Sequence, residues 1–114
     1  MKIAFFGDIV GKTGRKKLET SLQQYVSDEK IDFVVANAEN ATAGAGLSAN
    51  HAADLLKMSV DCITLGDHAY DNKELIPFLG RTERIVRPIN YSDDCPGQGM
   101  QIFSIHNKKI LVVQ

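Results

Sequence analysis

The sequence predicts an α/β domain, in which a mostly parallel β-sheet with helices packed on it is followed by a C-terminal antiparallel hairpin. Two observations lead to this fold class. Short apolar runs alternate three times with stretches of helical periodicity, and β-to-α units in succession are typical of a parallel sheet. Beyond Pro88, two apolar runs flank a short polar turn, which is the pattern of a hairpin. A chain of 114 residues has room for one domain, which we take as 1–114.

Each strand is identified by a compact apolar run that stops at polar residues. The runs predict three buried strands: Ile3–Phe6, Asp32–Ala36 and Cys62–Leu65. We expect the hairpin to comprise Met100–His106 and Lys109–Val113, joined by the pair Asn107-Lys108. The first three strands therefore alternate with helices, and the last two pair directly with each other.

Three helices are expected from periodicity and capping residues. An amphipathic helix is predicted from about Thr13 to Glu29, with apolar side chains at helical spacing (Leu18, Leu22, Tyr25 and Val26). Ser48 is a suitable N-cap for a second helix that ends near Met58. Asp71 is expected to cap a short third helix, Lys73–Leu79.

The overall composition argues against several partners and locations. Thirteen basic and 14 acidic residues give a net charge of −1, so we expect no nucleic acid polymer and no membrane surface as a partner. No apolar run approaches the ~20 residues that span a bilayer, and the N-terminus lacks the pattern of a signal peptide. We therefore expect a cytoplasmic protein, in which Cys62 is a small buried hydrophobe and Cys95 is a reduced loop thiol.

The last residues of the sequence form part of an apolar strand, Leu111–Gln114. A sheet seldom ends so abruptly, so we expect further protein to follow residue 114. An open apolar edge also favours self-association, and we expect a homo-oligomer such as a dimer.

Acidic residues follow all three predicted strands of the parallel sheet. Asp8 follows the first strand, Glu39 and Asn40 the second, and Asp67 and His68 the third. These positions meet at the edge where α/β sheets bind ligands. Carboxylates at one edge repel each other unless a cation lies between them, so a divalent metal bound by Asp8, Glu39 and Asp67 is predicted. His68 is a candidate ligand, proton donor or transition-state stabiliser.

A simpler interpretation exists for each of these residues alone. Gly-Asp is common turn chemistry, so Asp8 or Asp67 by itself would more often be a turn residue. A lone histidine is more often structural, which is the interpretation that fits His51 and His106. The agreement of three strand ends favours a site.

The segment Gly7–Thr13 is similar to a phosphate-binding P-loop, because a Gly-rich turn leads from a strand to a helix. The P-loop motif requires four residues between its first glycine and Gly-Lys, whereas three separate Gly7 from Gly11. Asp8 would also direct negative charge towards a phosphate. A P-loop nucleotide binder is therefore the least favoured interpretation.

Four stretches of sequence occur in an order that is specific when they are taken together: Phe6–Gly11, Asn37–Ala41 with Gly44 and Gly46-Leu47 after it, Ile63–His68, and Arg87–Asn90. They resemble the successive motifs of the YmdB-type metallophosphoesterases, a bacterial family of the calcineurin-like superfamily. The resemblance extends from residue 1 to the last residue of the chain.

The resemblance implies an αββα sandwich of two β-sheets flanked by helices, of which this chain would be the amino-terminal half. It also implies hydrolysis of phosphodiesters such as 2′,3′-cyclic nucleotides, with water activated by two metal ions, commonly iron or manganese. By position in the motifs, Asp8 would bind the first metal, Glu39 would bridge both, and Asp67 would occupy the second-metal position. Asn40 and His68 would be the catalytic and substrate-binding residues, contacting the phosphate or assisting the leaving group.

Two departures from the family pattern leave two functional hypotheses open. The family has Gly-Asn-His where this chain has Gly66-Asp67-His68, and the added charge of Asp67 should tighten metal binding but lower turnover. The later half of the family's length, which supplies several histidine ligands, is not among the 114 residues. The chain is therefore either part of a metal-dependent phosphodiesterase or a catalytically inactive, truncated remnant or interaction module of the same fold.

Overall fold

A four-stranded parallel sheet and a separate antiparallel hairpin form the framework of the computed structural model, which describes residues 1–114. The parallel sheet has the strand order β1-β2-β3-β4, and β5 pairs with β6. In chain order the elements are β1 (Ile3–Phe6), α1 (Gly11–Glu29), β2 (Phe33–Asn37), α2 (Ala49–Lys57), β3 (Cys62–Thr64), a 3-10 turn (Lys73–Leu75) that continues into α3 (Ile76–Leu79), β4 (Ile85–Val86), β5 (Met100–Ile105) and β6 (Lys108–Val113). The predicted α/β class with a C-terminal hairpin is confirmed.

The two faces of the parallel sheet are covered by different layers, because successive side chains of a strand point to opposite faces. On one face, Val34 and Ile63 belong to a core that includes buried residues of all three helices. On the other face, Phe33 packs with the hairpin, and its ring centroid lies 4.9 Å from that of Phe103. The sheet therefore separates a helical layer from a second β-layer.

Strand β1 differs from the predicted fully buried strand. Ala4 is buried, but the side chains of Ile3 and Phe5 are 49% and 64% exposed. Ile3 is in register with Phe33 and so lies on the hairpin's side of the sheet. β1 is an edge strand that the hairpin leaves uncovered on this face, so only half of it is buried.

The first helices are close to their predicted bounds. α1 begins two residues earlier than expected, at Gly11, and β2 is displaced by one residue from the expected Asp32–Ala36. Ser48 caps α2 as predicted, since its hydroxyl accepts a hydrogen bond from the backbone N–H of His51 at 3.2 Å. Tyr25 was expected to face inward but is half exposed and meets the ring of Phe6 edge-on.

Two predictions near β4 were wrong or incomplete. The cap before the 3-10 turn is Asn72, whose side-chain oxygen accepts from the N–H of Glu74 at 3.1 Å, and not Asp71. β4 was not predicted, because a strand of two residues has no readable periodicity. It forms because Ile85 pairs with Ile63 of β3 and fills the helical side of the core.

The hairpin turn lies at His106-Asn107, one residue before the predicted position. Both residues have positive φ, 47° and 62°, which is the conformation of a type I′ turn and suits the twist of paired strands. The inner face of β6 is buried, whereas apolar residues of the outer face are about half exposed: Met100, Ile102, Leu111 and Val113. None of the helices combines the length and apolar character needed to cross a membrane.

The two cysteines are unpaired, as predicted. Cys62 is fully buried between the sheet and the hairpin, and burial raises the pKa of its thiol to about 12. Cys95 lies in the loop before β5 and is partly exposed. Cys62 therefore behaves as a small core residue and not as a reactive group.

Candidate functional site

The loops that follow β1, β2 and β3 are joined to one another by backbone hydrogen bonds. The N–H of Ile9 donates to the carbonyl of Asn37, and that of Gly11 to the carbonyl of Asn40, both at 2.9 Å. The N–H of Ala38 donates to the carbonyl of Thr64 at 3.0 Å. The carboxyl edge of the sheet is thus one connected surface. We call Asp8, Glu39, Asn40, Asp67 and His68, which are carried by these loops, the strand-end site.

Asp8 and Asn40 contact each other directly. The side-chain amide nitrogen of Asn40 donates to Oδ1 of Asp8 at 2.8 Å. Asp8 has a left-handed backbone conformation, with φ of 47°, and its side chain is exposed at the start of the turn into α1. The hydrogen bond orients the carboxylate and leaves Oδ2 free to accept a ligand.

Glu39 is held against the end of β3. The backbone N–H of His68 donates to Oε2 of Glu39 at 3.3 Å. The carboxylate also lies over the Cα of Gly66, where a side-chain carbon would collide with both carboxylate oxygens. Only glycine allows this approach, so the Gly66-Asp67-His68 turn determines where Glu39 can sit.

His68 is oriented by a residue that the sequence analysis did not place in the site. Its Nδ1 lies 2.6 Å from Oδ2 of Asp71, and this hydrogen bond raises the pKa of the imidazole above its usual value. Nε2 is on the side of Asp67, 3.9 Å from its Oδ2. Asp71 therefore occupies one ring nitrogen and leaves the other available. The one signal in the sequence was the spacing of three residues between the two, which a tight turn brings together.

Asp67 is a highly exposed member of the strand-end site. Its side chain is 86% exposed, and its closest charged neighbour is Nε2 of His68. Neither Asp8 nor Glu39 has an ion-pair partner of the chain. The carboxylates of Asp8 and Glu39 are thus not neutralised by basic side chains, which is compatible with a cation as their partner.

The residues fit a metal ion only in part. The side chains offer carboxylate and amide oxygens, which are suitable donors for a hard divalent cation, but no three Asp, Glu, His or Cys side chains converge into a preformed cluster. A complete cage would need further ligands. The predicted ligands Asp8 and Glu39 lie at the same edge of the sheet but make separate contacts. Asp8 bonds Asn40, which is the residue after Glu39, and Glu39 contacts the turn at His68.

Nearby polar residues have structural roles. His51 Nδ1 lies 2.8 Å from Oγ1 of Thr42, which also accepts from the N–H of Ser48 at 2.8 Å. Burial lowers the pKa of His51, consistent with its expected structural role. Arg87, which follows β4, is 4% exposed and donates to the carbonyl oxygens of Pro88 and Ser92 at 2.8 and 3.2 Å. Its guanidinium therefore holds a loop and does not neutralise the strand-end carboxylates.

Comparison of the sequence with known proteins shows the family of the chain. Residues 4–114 match the family described as YmdB-like protein. The chain is 33% identical over 113 residues to the 2′,3′-cyclic-nucleotide 2′-phosphodiesterase of Bacillus subtilis (strain 168), covering 99% of this chain and 43% of that protein. The chain thus spans less than half the length of this curated relative.

Two crystal structures have the same fold over nearly the whole chain. A hypothetical protein from Thermus thermophilus superposes with a TM-score of 0.92 at 34% identity, over 100% of this chain and 44% of the other. A novel phosphatase from Mycoplasma pneumoniae gives a TM-score of 0.91 at 34% identity, over 99% of this chain and 42% of the other. The structural agreement covers both the parallel sheet and the hairpin.

Proposed function

The chain belongs to the family of YmdB-like proteins, and on this premise we propose that it forms part of a metal-dependent phosphodiesterase. The proposed substrates are small phosphodiesters such as 2′,3′-cyclic nucleotides. The observation that carries the proposal is the contact of Glu39 with Gly66 and the N–H of His68. It joins the ends of β2 and β3, so that an oxygen ligand and an imidazole lie at one edge, beside the Asp8–Asn40 pair.

The proposed metal ligands of this chain are Asp8, Glu39 and Asp67, with iron or manganese as the proposed metals. When bound, the ions would lower the pKa of a water molecule and neutralise charge on the phosphate oxygens. The donor set of these residues consists of oxygens alone, and transition metals such as iron favour additional nitrogen ligands. The remaining ligands are therefore proposed to come from outside residues 1–114.

The chain's own residues have distinct proposed tasks at the substrate. Asn40 fixes the carboxylate of Asp8 through its amide nitrogen and would bring a polar side chain to the phosphate. When water attacks phosphorus, one P–O bond to the ribose breaks and the departing oxygen needs a proton. His68 would supply this proton from Nε2, because Asp71 holds Nδ1 and favours the protonated ring.

A second candidate function is a non-catalytic remnant or interaction module of the same fold. It is favoured by the lack of a preformed cluster of three ligands and by the exposed apolar outer face of the hairpin, which would bury against another copy or another protein. In either case a cytoplasmic location and a homo-oligomeric state stay predictions.

Metal analysis of the purified chain, followed by hydrolysis of bis-p-nitrophenyl phosphate with added Mn²⁺ or Fe²⁺, separates the two candidates. Stoichiometric metal, together with turnover that is abolished in Glu39→Gln, supports the enzyme. Glu74→Gln is the matched control, because it removes an equal charge from a residue of the 3-10 turn. A chain that binds no metal and hydrolyses nothing would leave the interaction module as the better account.

A further inference from the structure

A groove between α1 and α2 carries a concentration of positive charge that the net charge of −1 conceals. The expectation that no nucleic acid polymer binds rested on that net charge and therefore does not extend to this groove. The groove has a volume of about 700 Å³ and contains four basic side chains: Lys12, Arg15, Lys16 and Lys57. We call these four residues the basic groove. Lys17 extends it along the outer side of α1, where it shares a smaller cavity with Lys12 and Lys16.

The cations of the basic groove are not neutralised by acidic side chains of the protein. None of them takes part in an ion pair within 4.0 Å, although Glu19 and Asp54 also line the groove. Arg15 uses Nη1 to donate to the carbonyl of Ala41, which leaves other guanidinium N–H groups unbonded. Four cations against two acids give the groove a net positive charge, and unpaired like charges close together favour a multivalent anion.

The N-terminal end of α1, which carries the first residue of the basic groove, is linked to the strand-end site through the backbone. The backbone N–H of Gly11, the residue before Lys12, donates to the carbonyl of Asn40, and Asn40 in turn bonds Asp8. Lys16 lies one helical turn further from the site, about 6 Å along α1. An anionic chain with one end at the strand-end site would therefore meet Lys12 first and Lys16 next.

We propose that the basic groove binds the sugar–phosphate backbone of single-stranded RNA, whose 3′ end lies at the strand-end site. This inference rests on the proposed function. A 2′,3′-cyclic phosphodiester exists only on ribose, and it forms when the 2′-hydroxyl of an RNA strand attacks the adjacent phosphate and the next nucleotide leaves. The first product of such a cleavage is an oligonucleotide, whose upstream phosphates offer a regular line of charge to the groove. Contacts with phosphates supply affinity without sequence preference.

The test uses a fluorescently labelled RNA of about ten nucleotides that ends in a 2′,3′-cyclic phosphate. Binding is measured by fluorescence anisotropy between about 25 and 200 mM salt, the range over which salt screens contacts with phosphates. Three to four phosphate contacts predict that log K falls with log salt with a slope of about −2 to −3. Lys12→Glu/Lys16→Glu is expected to weaken binding by about tenfold or more and to make the slope shallower by about 1.4. Glu19→Lys, which adds charge to the groove, is expected to tighten binding.

The matched control is Lys108→Glu/Lys109→Glu, which changes the net charge equally at two exposed positions of the hairpin. Equal weakening by both double variants would mean that bulk charge and not the groove binds RNA, and would overturn the inference. It would also be overturned by vesicles containing phosphatidylserine binding through the groove while RNA does not.

A second RNA with a 3′-hydroxyl end separates the groove from the proposed chemistry. Tighter binding of the cyclic-phosphate end supports both proposals together. Equal binding of the two RNAs, still weakened by Lys12→Glu/Lys16→Glu, supports the groove and counts against the placement of a cyclic end at the strand-end site.

Discussion

Nδ1 of His68 lies 2.6 Å from Oδ2 of Asp71, and this contact determines which nitrogen of the imidazole faces the strand-end site. Asp71 acts through His68, so it is a positioning residue. The hydrogen bond is the largest cause of the raised pKa of His68, with smaller contributions from the charges of Asp67 and Glu39. A raised pKa keeps the ring protonated over a wider range of pH, as a proton donor requires.

Asp71→Asn is expected to lower the pKa of His68, because an amide in place of the carboxylate no longer favours the imidazolium. The measurement is a titration of the His68 ring by NMR. The raised pKa also makes folding stability depend on pH. The His68–Asp71 pair stabilises the folded state fully below the unfolded-state pKa of His68, and this stabilisation is lost as pH rises through the folded-state pKa. Asp94→Asn in the exposed loop before β5 is the control and should leave this titration unchanged. An identical His68 titration in Asp71→Asn would contradict the assignment.

Gly66→Ala is expected to displace the carboxylate of Glu39, because the new methyl group would occupy the space of its oxygens. If Glu39 is a metal ligand, the affinity for Mn²⁺ should fall by roughly 10- to 100-fold, the range found when support of a ligand is lost. Calorimetric titration with Mn²⁺ measures this change. Gly80→Ala is the matched control, since a methyl group there approaches nothing closer than 4.0 Å and φ is −76°. Equal Mn²⁺ affinity in the two variants would remove Glu39 from the ligand set.

Asp67→Asn is expected to weaken metal binding and to raise the rate of phosphodiester hydrolysis per bound metal. A neutral amide would offset less of the metal's positive charge than a carboxylate does, so the metal would attract water and phosphate more strongly. Metal content and hydrolysis rate are measured on the same sample, so that occupancy and turnover are separated. The idea fails if the substitution leaves both quantities unchanged.

Asp32 is expected to account for part of the loss of folding stability at acid pH. Its Oδ2 accepts from the backbone N–H of Lys2 at 2.7 Å, and this bond is the main reason that its pKa is lowered. Nε2 of His106 lies 3.1 Å from its other oxygen, so Asp32 joins β1, β2 and the hairpin turn. A lowered pKa means that this stabilisation is present above the unfolded-state pKa and is lost as pH falls through the folded-state value.

Asp32→Asn should therefore reduce stability near neutral pH and flatten the decline of stability on acidification. Urea unfolding at a series of pH values between about 2 and 7 measures both effects, over the range in which carboxyl groups titrate. Asp28→Asn on the exposed side of α1 serves as the control. A pH dependence that matches the unsubstituted chain would show that the contact with Lys2 contributes nothing to folding.

The sequence was sufficient to predict features that rest on local patterns. The apolar runs and the polar residues after them located β1 and the positions of Asp8, Glu39 and Asp67, because a strand's end is encoded by a change from apolar to polar residues. Features that depend on tertiary contacts were missed. The pairing of Asp71 with His68 competes with helix capping, and nothing in the local sequence decides between them. The exposure of Phe5 depends on how far the hairpin extends across the sheet.

Asp8 has a φ of 47°, a region that side chains other than glycine occupy at a cost of about 1–3 kcal/mol, reduced for aspartate by its tolerance of this conformation. Glycine at this position would relieve the strain while removing the carboxylate. Heat resistance and ligand capacity are therefore opposed at one residue. A library randomised at position 8 and selected for thermal survival alone would be expected to enrich glycine, and its survivors would have exchanged the proposed first metal ligand for a relaxed backbone.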